Sequence, residues 1–406
     1  MTAHPSSALH CLPIDGLAGT LVGRVWLPEH SPNSPAGPSV VVLRQDGVFD
    51  LTSHWPTMSH LLEETHPAAC VAQVRGHHVD SVDAVLQSTL IGADGQAQFL
   101  APCDLQVIKA VGVTFASSLV ERVIEEQAKG NQALAAQIRE EIGEVLGESL
   151  LDVAPGSPIA AELKAHLVGQ GLWSQYLEVG IGPDAEVFTK APVLAALGLG
   201  AELGIHPKSA WNNPEPEIVL AVDSRGRIKG ATLGNDLNLR DFEGRSALLL
   251  GKAKDNNGSC AIGPFLRLFD PTYNLDTVRR CVVRLEVRGE DGFVMRGESP
   301  MSKISRDPEE LVTQVMGKYH QYPDGFMLFL GTMFAPTQDR GIAGNGFTHQ
   351  LGDTVRISTD HLGALVNTMN HCDKIKPWEF GISAFFKNLT DRNLLRSPTA
   401  DGKPCQ

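Results

Sequence analysis

Three carboxylates lie on two neighbouring segments of the chain that together predict one β-hairpin. Glu215 and Glu217 stand at i and i+2 of the first segment, so their side chains share one face of a strand. The turn chemistry of residues 223–226 and the strand pattern of residues 228–233 fold the chain back and bring Asp236 beside that pair. Three converging carboxylates repel one another, and Mg²⁺, a hard cation that prefers oxygen ligands, relieves the repulsion. The spacing therefore predicts either a magnesium site or a solvated acidic rim of the hairpin.

Three other places could serve such a site, and each also has a simpler interpretation. Lys252 follows the hairpin and could stabilise a developing enolate or move a proton, although most lysines are surface charges. Arg240 could bind a substrate carboxylate through two parallel hydrogen bonds, or it could pair with Asp241. Gly331 and Thr332 end an apolar strand, where a backbone N–H and a hydroxyl suit a carboxylate or form an ordinary strand exit.

The composition of the 406-residue chain restricts the class of protein. Apolar residues make up 42% and charged residues 20%, which is typical of a soluble globular protein with a proper core. The net charge of −13 argues against nucleic-acid binding, which needs a basic face. The N-terminus predicts no secretory signal, and no apolar run approaches the roughly 20 residues that cross a bilayer. We therefore expect neither a nucleic-acid nor a membrane partner.

The cysteines indicate a compartment. Seven of them are scattered along the chain and none belongs to a C-x-x-C pair. Such a pattern fits reduced thiols and predicts a cytoplasmic protein.

The elements that must position the candidate residues fall into two predicted units. Residues 1–105 form an N-terminal unit, with strands near residues 19–26 and 39–43 and a short helix over 58–64. Residues 106–406 form the larger unit, which contains all the candidate site residues.

The larger unit begins with a strongly helical stretch over residues 116–178. Its apolar spacing predicts one helix across 120–146 and a second across 159–168, with Gly169 as the stop. After Val187 the pattern changes to short strands separated by Gly, Pro and Asn turns.

Taken together, these segments resemble the fumarylacetoacetate hydrolase superfamily. The motifs of that family recur here in its order and spacing over residues 106–370: E-x-E, N-D-x-x-x-R-D, G-K-x-x-D followed by G-P-F, T-G-T-P, P-G-D and G-x-L-x-N. The matching positions are 215–217, 235–241, 251–255, 263–265, 330–333, 351–353 and 363–367. Each motif is short, and their common order makes the resemblance specific.

The resemblance implies a fold, an assembly and a cofactor. The fold is α+β and mainly β: a mixed β-sandwich roll with a smaller N-terminal α/β domain and a helical insert, assembled as a homodimer or a larger homo-oligomer. The cofactor is Mg²⁺, or Mn²⁺ or Ca²⁺, held by Glu215, Glu217 and Asp236. Lys252 is similar to the family's active-site lysine, and Arg240 to its arginine beside the metal.

One departure from the family pattern bears on the reaction. Members that hydrolyse carbon–carbon bonds carry H-x-x-E after the first catalytic strand, and the His–Glu pair activates water. Here Ser118 stands in place of the histidine, and Glu121 remains. Because serine is no general base near neutral pH without a partner, the sequence does not support water activation. The helical insert beside the site suggests a lid.

Members that lack the histidine and carry a longer chain resemble dehydratases of 2-keto-3-deoxy sugar acids. A 2-keto acid can chelate Mg²⁺, which acidifies its C3–H, so that a base can take this proton and the C4 hydroxyl can leave without a water nucleophile. A 2-keto-3-deoxypentonate would yield 2,5-dioxopentanoate. The predicted catalytic residues are Glu121 and Lys252 as the proton-transfer pair, with Ser118 at a substrate oxygen. The predicted substrate contacts are Arg240, Glu243, Gly331 and Thr332.

Other functions stay open at this point. The runner-up is a hydrolase of 2,4-diketo acids or acylpyruvates in which another base replaces the histidine. The same enolate chemistry would also serve a decarboxylase of oxaloacetate or a tautomerase. A metal-dependent binding or scaffold protein without catalysis is the alternative from a different class.

Overall fold

A computed structural model describes residues 11–29, 35–140, 153–169, 171, 173–332, 334, 336–341 and 346–395. The strands in these residues are β1 (Leu21–Leu27), β2 (Gly37–Arg44), β3 (Gly47–Asp50), β4 (His77–Asp80), β5 (Gln98–Leu100), β6 (Val107–Val111), β7 (Val187–Ala191), β8 (Glu202–Ile205), β9 (Asn212–Asn213), β10 (Pro216–Val222), β11 (Ile228–Asp236), β12 (Asn238–Leu239), β13 (Cys260–Leu268), β14 (Val282–Arg288), β15 (Val294–Pro300), β16 (Phe326–Phe329), β17 (Thr354–Thr359) and β18 (Gly363–His371). The helices are α1 (Met58–Glu63), α2 (Pro67–Gln73), α3 (Val82–Ile91), α4 (Ala116–Gln127), α5 (residues 132–140), α6 (Pro158–Gly169), α7 (Gln175–Ile181), α8 (Arg240–Glu243), α9 (Leu250–Lys254), α10 (Leu275–Arg280), α11 (Pro308–Val315) and α12 (Ile382–Asp391), with 3₁₀ turns at Ala247–Leu249 and Met301–Lys303.

Two sheets form the framework, and the fold is α+β and mainly β. The larger sheet has the order β4-β3-β2-β1-β13-β11-β10-β16-β6-β7, with β5 also paired to β1. The smaller sheet has the order β15-β14-β17-β18-β8, and β9 pairs separately with β12. Most pairings are antiparallel, whereas β6–β16 and β8–β18 are parallel. The predicted mixed β architecture is confirmed.

The central hairpin separates two apolar cores because its side chains alternate between the faces of the sheet. Ile218, Leu220 and Val222 of β10 belong to a buried cluster that also contains side chains of β14, β17 and β18 from the smaller sheet. Val219 and Ala221 belong to a second buried cluster with side chains of α1 and α2. One face of the large sheet is therefore packed as a sandwich and the other is covered by helices.

The predicted hairpin has the register that the candidate site requires. Glu217 lies opposite Gly234, and the Asp236 amide donates a 3.0 Å hydrogen bond to the Glu215 carbonyl. The turn is closed by Asp223, whose carboxylate accepts hydrogen bonds from the amides of Arg225 and Arg227. Asp236 consequently returns to the start of β10, as the sequence predicts.

The large sheet runs across the predicted boundary at residue 105. Leu21 and Val22 of β1 pair with Arg267 and Leu266 of β13, so strands of the first unit extend the sheet of the second. The division into residues 1–105 and 106–406 stays a prediction.

The helical insert differs in detail from the prediction. The helix predicted across 120–146 is broken within the described residues: α4 ends at Gln127, Gly130 follows at φ +72°, and the Asn131 side chain accepts hydrogen bonds from the first amides of α5. Residues 141–146 of that prediction lie outside the described residues. The helix predicted across 159–168 is confirmed as α6, which extends through Gly169 instead of stopping before it. Helices α4, α6 and α7 share a separate apolar cluster.

Two predicted properties of the chain can be compared with the structure. The six cysteines within the described residues are all free thiols. None of the described helices has the length and the apolar character needed to cross a membrane.

Candidate metal centre

Three buried carboxylates converge at the open end of the central hairpin. Glu215 directly precedes β10, Glu217 lies on it, and Asp236 ends β11. Each residue offers one carboxylate oxygen, and these oxygens lie within 4.8 Å of one another. The residues are 2%, 0% and 1% exposed, so the trio is not a solvated rim. The solvated interpretation of this hairpin is thereby excluded.

The electrostatics of the trio are unbalanced. Burial and the neighbouring charges of Asp236 and Glu215 raise the pKa of Glu217 well above its ordinary value. Burial alone would also raise the pKa of Glu215, but Arg122 and Lys254 lower it to about 2. One carboxyl is thus ionised while its neighbour resists ionisation, as expected for ligands that share a site without a divalent cation.

Two lysines contact the trio, and neither is the predicted one. Lys254 Nζ lies 2.5 Å from Glu215 Oε2 and 2.8 Å from Asp236 Oδ2, and Lys190 Nζ lies 2.8 Å from Asp236 Oδ1. Although burial opposes the charge on Lys254, these carboxylates raise its pKa. Lys252 is exposed on the other side of α9. The structure does not bring Lys252 to the site, where Lys254 lies instead.

The short helix α9 explains this correction. The run G-K-A-K-D carries two lysines two residues apart, and residues at that spacing do not share a face of a helix. In the G-K-x-x-D motif the lysine directly follows glycine, and this position identifies Lys252. In the structure, however, it is the side chain of Lys254 that α9 turns toward the site. Lys190 of β7 has a completely buried side chain, and the sequence did not single it out as a site residue.

Backbone and hydroxyl groups complete the surroundings of Glu217. The Gly331 amide donates a 2.7 Å hydrogen bond to Glu217 Oε2, and Thr332 Oγ1 lies 3.4 Å from Oε1. Ser118 Oγ donates to the Thr332 carbonyl at 2.6 Å and so ties the start of α4 to this strand end. Gly331 has φ +98°, and a Cβ there would lie 2.3 Å from Thr114 Oγ1, so glycine is required. Ser118, Gly331 and Thr332 are therefore brought together.

Helix α4 adds an ion-pair network to the trio. Arg122 contacts Glu215 directly, lies 2.8 Å from Glu125 Oε2 and lies 3.5 Å from Glu243 Oε2. Arg240 in turn contacts Glu125. Glu243 and Arg240 thus belong to the same buried network as the candidate ligand Glu215.

Arg240 is not paired with Asp241, one of the two arrangements considered from the sequence, and its contact with a substrate carboxylate stays a prediction. Its guanidinium lies over the Trp211 ring at 4.7 Å and close to Glu125 and Glu121. Asp241, the partner considered above, instead accepts hydrogen bonds from the Ser209 hydroxyl and the Ala210 amide. The guanidinium is therefore held by carboxylates of α4.

Glu121 is held by two guanidinium groups. Arg139 of α5 donates from Nε to Oε1 at 2.7 Å and from Nη2 to Oε2 at 2.6 Å, and Arg240 Nη2 lies 3.6 Å from Oε2. Burial opposes ionisation of Glu121, but both arginines together lower its pKa. A carboxylate with a lowered pKa is a weak proton acceptor, which does not favour the predicted role of Glu121 as a base.

Glu186 is a further acidic side chain that the sequence did not single out. It directly precedes β7 beside Gly112, where a Cβ would lie 1.8 Å from Glu186 Oε2. Burial and Glu243 raise the pKa of Glu186 to about 7, while Arg122 opposes this effect. Its signal in the sequence is weak, since it is one of many glutamates and lies outside the matching motifs.

The charge of the whole cluster supports a divalent cation. Seven carboxylates and five basic side chains interact there: Glu121, Glu125, Glu186, Glu215, Glu217, Asp236 and Glu243, with Arg122, Arg139, Lys190, Arg240 and Lys254. The carboxylates outnumber the basic side chains. Burial and this excess of carboxylates raise the pKa of Glu217 and of Glu186, and a divalent cation at the trio would offset the excess. The donor set contains only oxygen at the trio, which suits Mg²⁺.

The chain is similar to one described protein family and to two named relatives. Residues 195–370 match the profile of the family described as fumarylacetoacetate (FAA) hydrolase C-terminal. The chain is 30% identical over 193 residues to 2-dehydro-3-deoxy-D-arabinonate dehydratase of Saccharolobus solfataricus, a match that covers 47% of this chain and 60% of that protein. It is 25% identical over 248 residues to a probable 2-keto-3-deoxyxylonate dehydratase of Haloferax volcanii, covering 58% of this chain and 81% of that protein.

A solved structure shares the fold over most of the chain. The 2-keto-3-deoxy-D-arabinonate dehydratase complexed with magnesium and 2,5-dioxopentanoate superposes with a TM-score of 0.57 at 21% identity, and the match covers 86% of this chain and 99% of that one. At this identity the likeness establishes the fold alone.

Proposed function

Because the chain belongs to the fumarylacetoacetate hydrolase superfamily, we propose that it is a divalent-metal-dependent dehydratase of a 2-keto-3-deoxy sugar acid. The proposed substrate is a 2-keto-3-deoxypentonate and the proposed product 2,5-dioxopentanoate, as part of sugar acid catabolism. The observation that carries the proposal is the buried trio of Glu215, Glu217 and Asp236 with Lys254 against it, beside Ser118 where a water-activating member would carry histidine.

The three carboxylates are the proposed ligands of Mg²⁺. When bound, this ion supplies Lewis acidity toward the keto oxygen of a chelating 2-keto acid and so acidifies the C3–H. The remaining steps fall to side chains of this chain, since removal of a proton from C3 and of hydroxide from C4 needs both an acceptor and a donor.

Lys254 is the proposed group for the developing negative charge. Its Nζ lies 2.5 Å from Glu215 Oε2 and 2.8 Å from Asp236 Oδ2, and these carboxylates favour its charged form by raising its pKa. A fixed ammonium group beside the reacting oxygen stabilises an oxyanion as charge develops. Lys254 is therefore proposed as an electrostatic stabiliser rather than as the base.

Glu186 is the proposed proton-transfer group. A carboxyl with a pKa of about 7 is divided between its two protonation states near neutral pH, which is the condition for efficient general acid–base catalysis. Ionised, it would accept the C3 proton, and protonated it would return a proton to the departing C4 hydroxyl, so that one water is released. The elimination gives a 2-keto acid with a C3=C4 double bond and a C5 hydroxyl. Removal of a proton from C5 and its return at C3 would give the C4=C5 enol, which tautomerises to the 5-aldehyde by protonation at C4.

Ser118 and Thr332 are proposed to contact substrate oxygens, and Gly331 to fix Glu217. Ser118 is directed to the Thr332 carbonyl, so its hydroxyl holds a fixed orientation at the start of α4. Arg122 and Lys190 are proposed to hold Glu215 and Asp236 in place. Glu243 and Arg240 are proposed to act through the arginine–carboxylate network.

The experiment is product analysis. The full chain is incubated with Mg²⁺ and D- or L-2-keto-3-deoxypentonates, and products are identified by mass. We expect 2,5-dioxopentanoate, and no product after the metal is removed with a chelator. Pyruvate with a second fragment would support carbon–carbon cleavage instead, and turnover that survives loss of metal would refute the mechanism.

A further inference from the structure

Glu121 is paired with two guanidinium groups, which a catalytic base does not need. Arg139 forms a two-pronged pair with its carboxylate, and Arg240 approaches the same carboxylate from the other side at 3.6 Å. Two guanidinium groups around one carboxylate form the arrangement with which proteins bind anionic ligands. Here the protein's own side chain occupies that position.

Glu121 shares a face of α4 with two residues that link this helix to the surroundings of the carboxylate trio. On α4, Ser118 precedes it by one turn and contacts the Thr332 carbonyl, while Glu125 follows one turn later and contacts Arg122. Residues three and four apart on a helix share a face. Glu121 therefore lies on the face of α4 that carries the contacts to the metal ligands.

Three further basic side chains of the cluster are paired with its carboxylates. Arg122 contacts Glu125 and Glu215, Lys254 contacts Glu215 and Asp236, and Lys190 contacts Asp236. A 2-keto acid brings one negative charge, and a second anionic group would meet a cluster in which carboxylates outnumber these cations. Asp339 adds another negative charge that acts on Arg139.

We propose that Glu121 is a specificity-determining residue that occupies Arg139 and Arg240 and restricts the site to 2-keto acids with a single negative charge. The accepted class has a neutral, hydroxylated tail, and dicarboxylic or phosphorylated keto acids are rejected. The proposal rests on the proposed binding of a 2-keto acid at the metal, and it assigns the rejection to one side chain.

The test compares two unreactive probes of equal chain length, 2-oxovalerate with one negative charge and 2-oxoglutarate with two. Their dissociation constants are measured by isothermal titration with the full, Mg²⁺-loaded chain. The unaltered protein is expected to bind 2-oxovalerate more tightly. In Glu121→Gln the affinity for 2-oxoglutarate relative to 2-oxovalerate should rise by about tenfold or more. The reason is that two guanidinium groups lose their carboxylate, and the repulsion between this carboxylate and the second charge of 2-oxoglutarate is removed.

Two further variants separate this effect from a general loss of structure. Arg139→Gln frees the Glu121 charge and should shift the ratio the opposite way, further toward 2-oxovalerate. Glu178→Gln makes the same chemical change as Glu121→Gln at an exposed pair with Lys164 in the same insert, and should leave the ratio unchanged.

Several outcomes would overturn the proposal. They are equal or tighter binding of 2-oxoglutarate by the unaltered protein, an unchanged ratio in Glu121→Gln, or a shift of the same sign in both site variants. If Glu121→Gln does not fold, the direction in which Arg139→Gln changes the ratio of the two dissociation constants decides the test. The product assay tests the proposed function separately: a protein without dehydratase activity can still show the ratio, whereas absence of binding by both probes overturns the specificity proposal alone.

Discussion

Replacing Lys254 by methionine is the most direct test of the proposed centre. The substitution leaves Glu215 and Asp236 without the ammonium group that lies 2.5 and 2.8 Å from their oxygens, and all three residues are at most 3% exposed. Removing one partner of such a buried ion pair costs about 3–5 kcal/mol, since the remaining charge stays buried. We expect a metal-free Lys254→Met protein to lose stability of this order in a urea titration, and turnover to fall by about 10²–10³-fold because an electrostatic donor is absent.

Lys252→Met is the matched control, since it lies two residues away on the same helix and is exposed. An exposed substitution of this kind changes stability by about 0.5 kcal/mol or less. Added Mg²⁺ should restore part of the stability of Lys254→Met, because a cation then neutralises Glu215 and Asp236 without restoring the donor. If Lys252→Met abolishes turnover while Lys254→Met retains both stability and activity, the assignment of the site lysine is wrong.

Two further predictions concern the acid–base group and the metal. Because the pKa of Glu186 is raised to about 7, turnover that needs its ionised form should rise with pH through that value, and Glu186→Gln should remove this limb of the pH profile. Persistence of the limb in Glu186→Gln would assign it to another group. Mg²⁺ at 100 times its Kd should stabilise the protein by about 2.7 kcal/mol, and Glu217→Gln, which removes one of the three ligands, should largely abolish the resulting rise in Tm. A rise of equal size in Glu217→Gln would place the ion elsewhere.

The convergence of Glu215, Glu217 and Asp236 was predictable because the rules behind it are local. Alternation along a strand puts Glu215 and Glu217 on one face, and a turn at 223–226 sets the register that returns Asp236 to them. Burial distinguishes a ligand trio from a solvated rim, and burial depends on the second sheet and the helices that cover the hairpin. The sequence pattern was therefore sufficient to identify the three candidate ligands. Their burial, in contrast, could be seen only in the tertiary structure.

The choice between Lys252 and Lys254 shows where motif reading fails. A motif fixes an order of residue types, but the direction of a side chain on a single helical turn depends on the phase of that turn. The 3₁₀ turn at Ala247–Leu249 leads directly into α9, and a shift of two residues, about 200° around the helix, would exchange the exposed and the buried lysine. Position after glycine carries no information about that phase.

The contact of Arg139 with Glu121 could not be predicted from local sequence rules either, but for a different reason. Arg139 reaches Glu121 because the break at Gly130 turns α5 back along α4, and a single continuous helix across 120–146 would carry Arg139 away from Glu121. Seen from the sequence, Glu121 is what remains of a water-activating pair, and it was therefore predicted to move protons. With Ser118 bound to a carbonyl and Glu121 bound to two arginines, the two positions that would activate water in a hydrolase both have other partners. That difference in partners, more than the loss of one histidine, favours elimination of water over its addition.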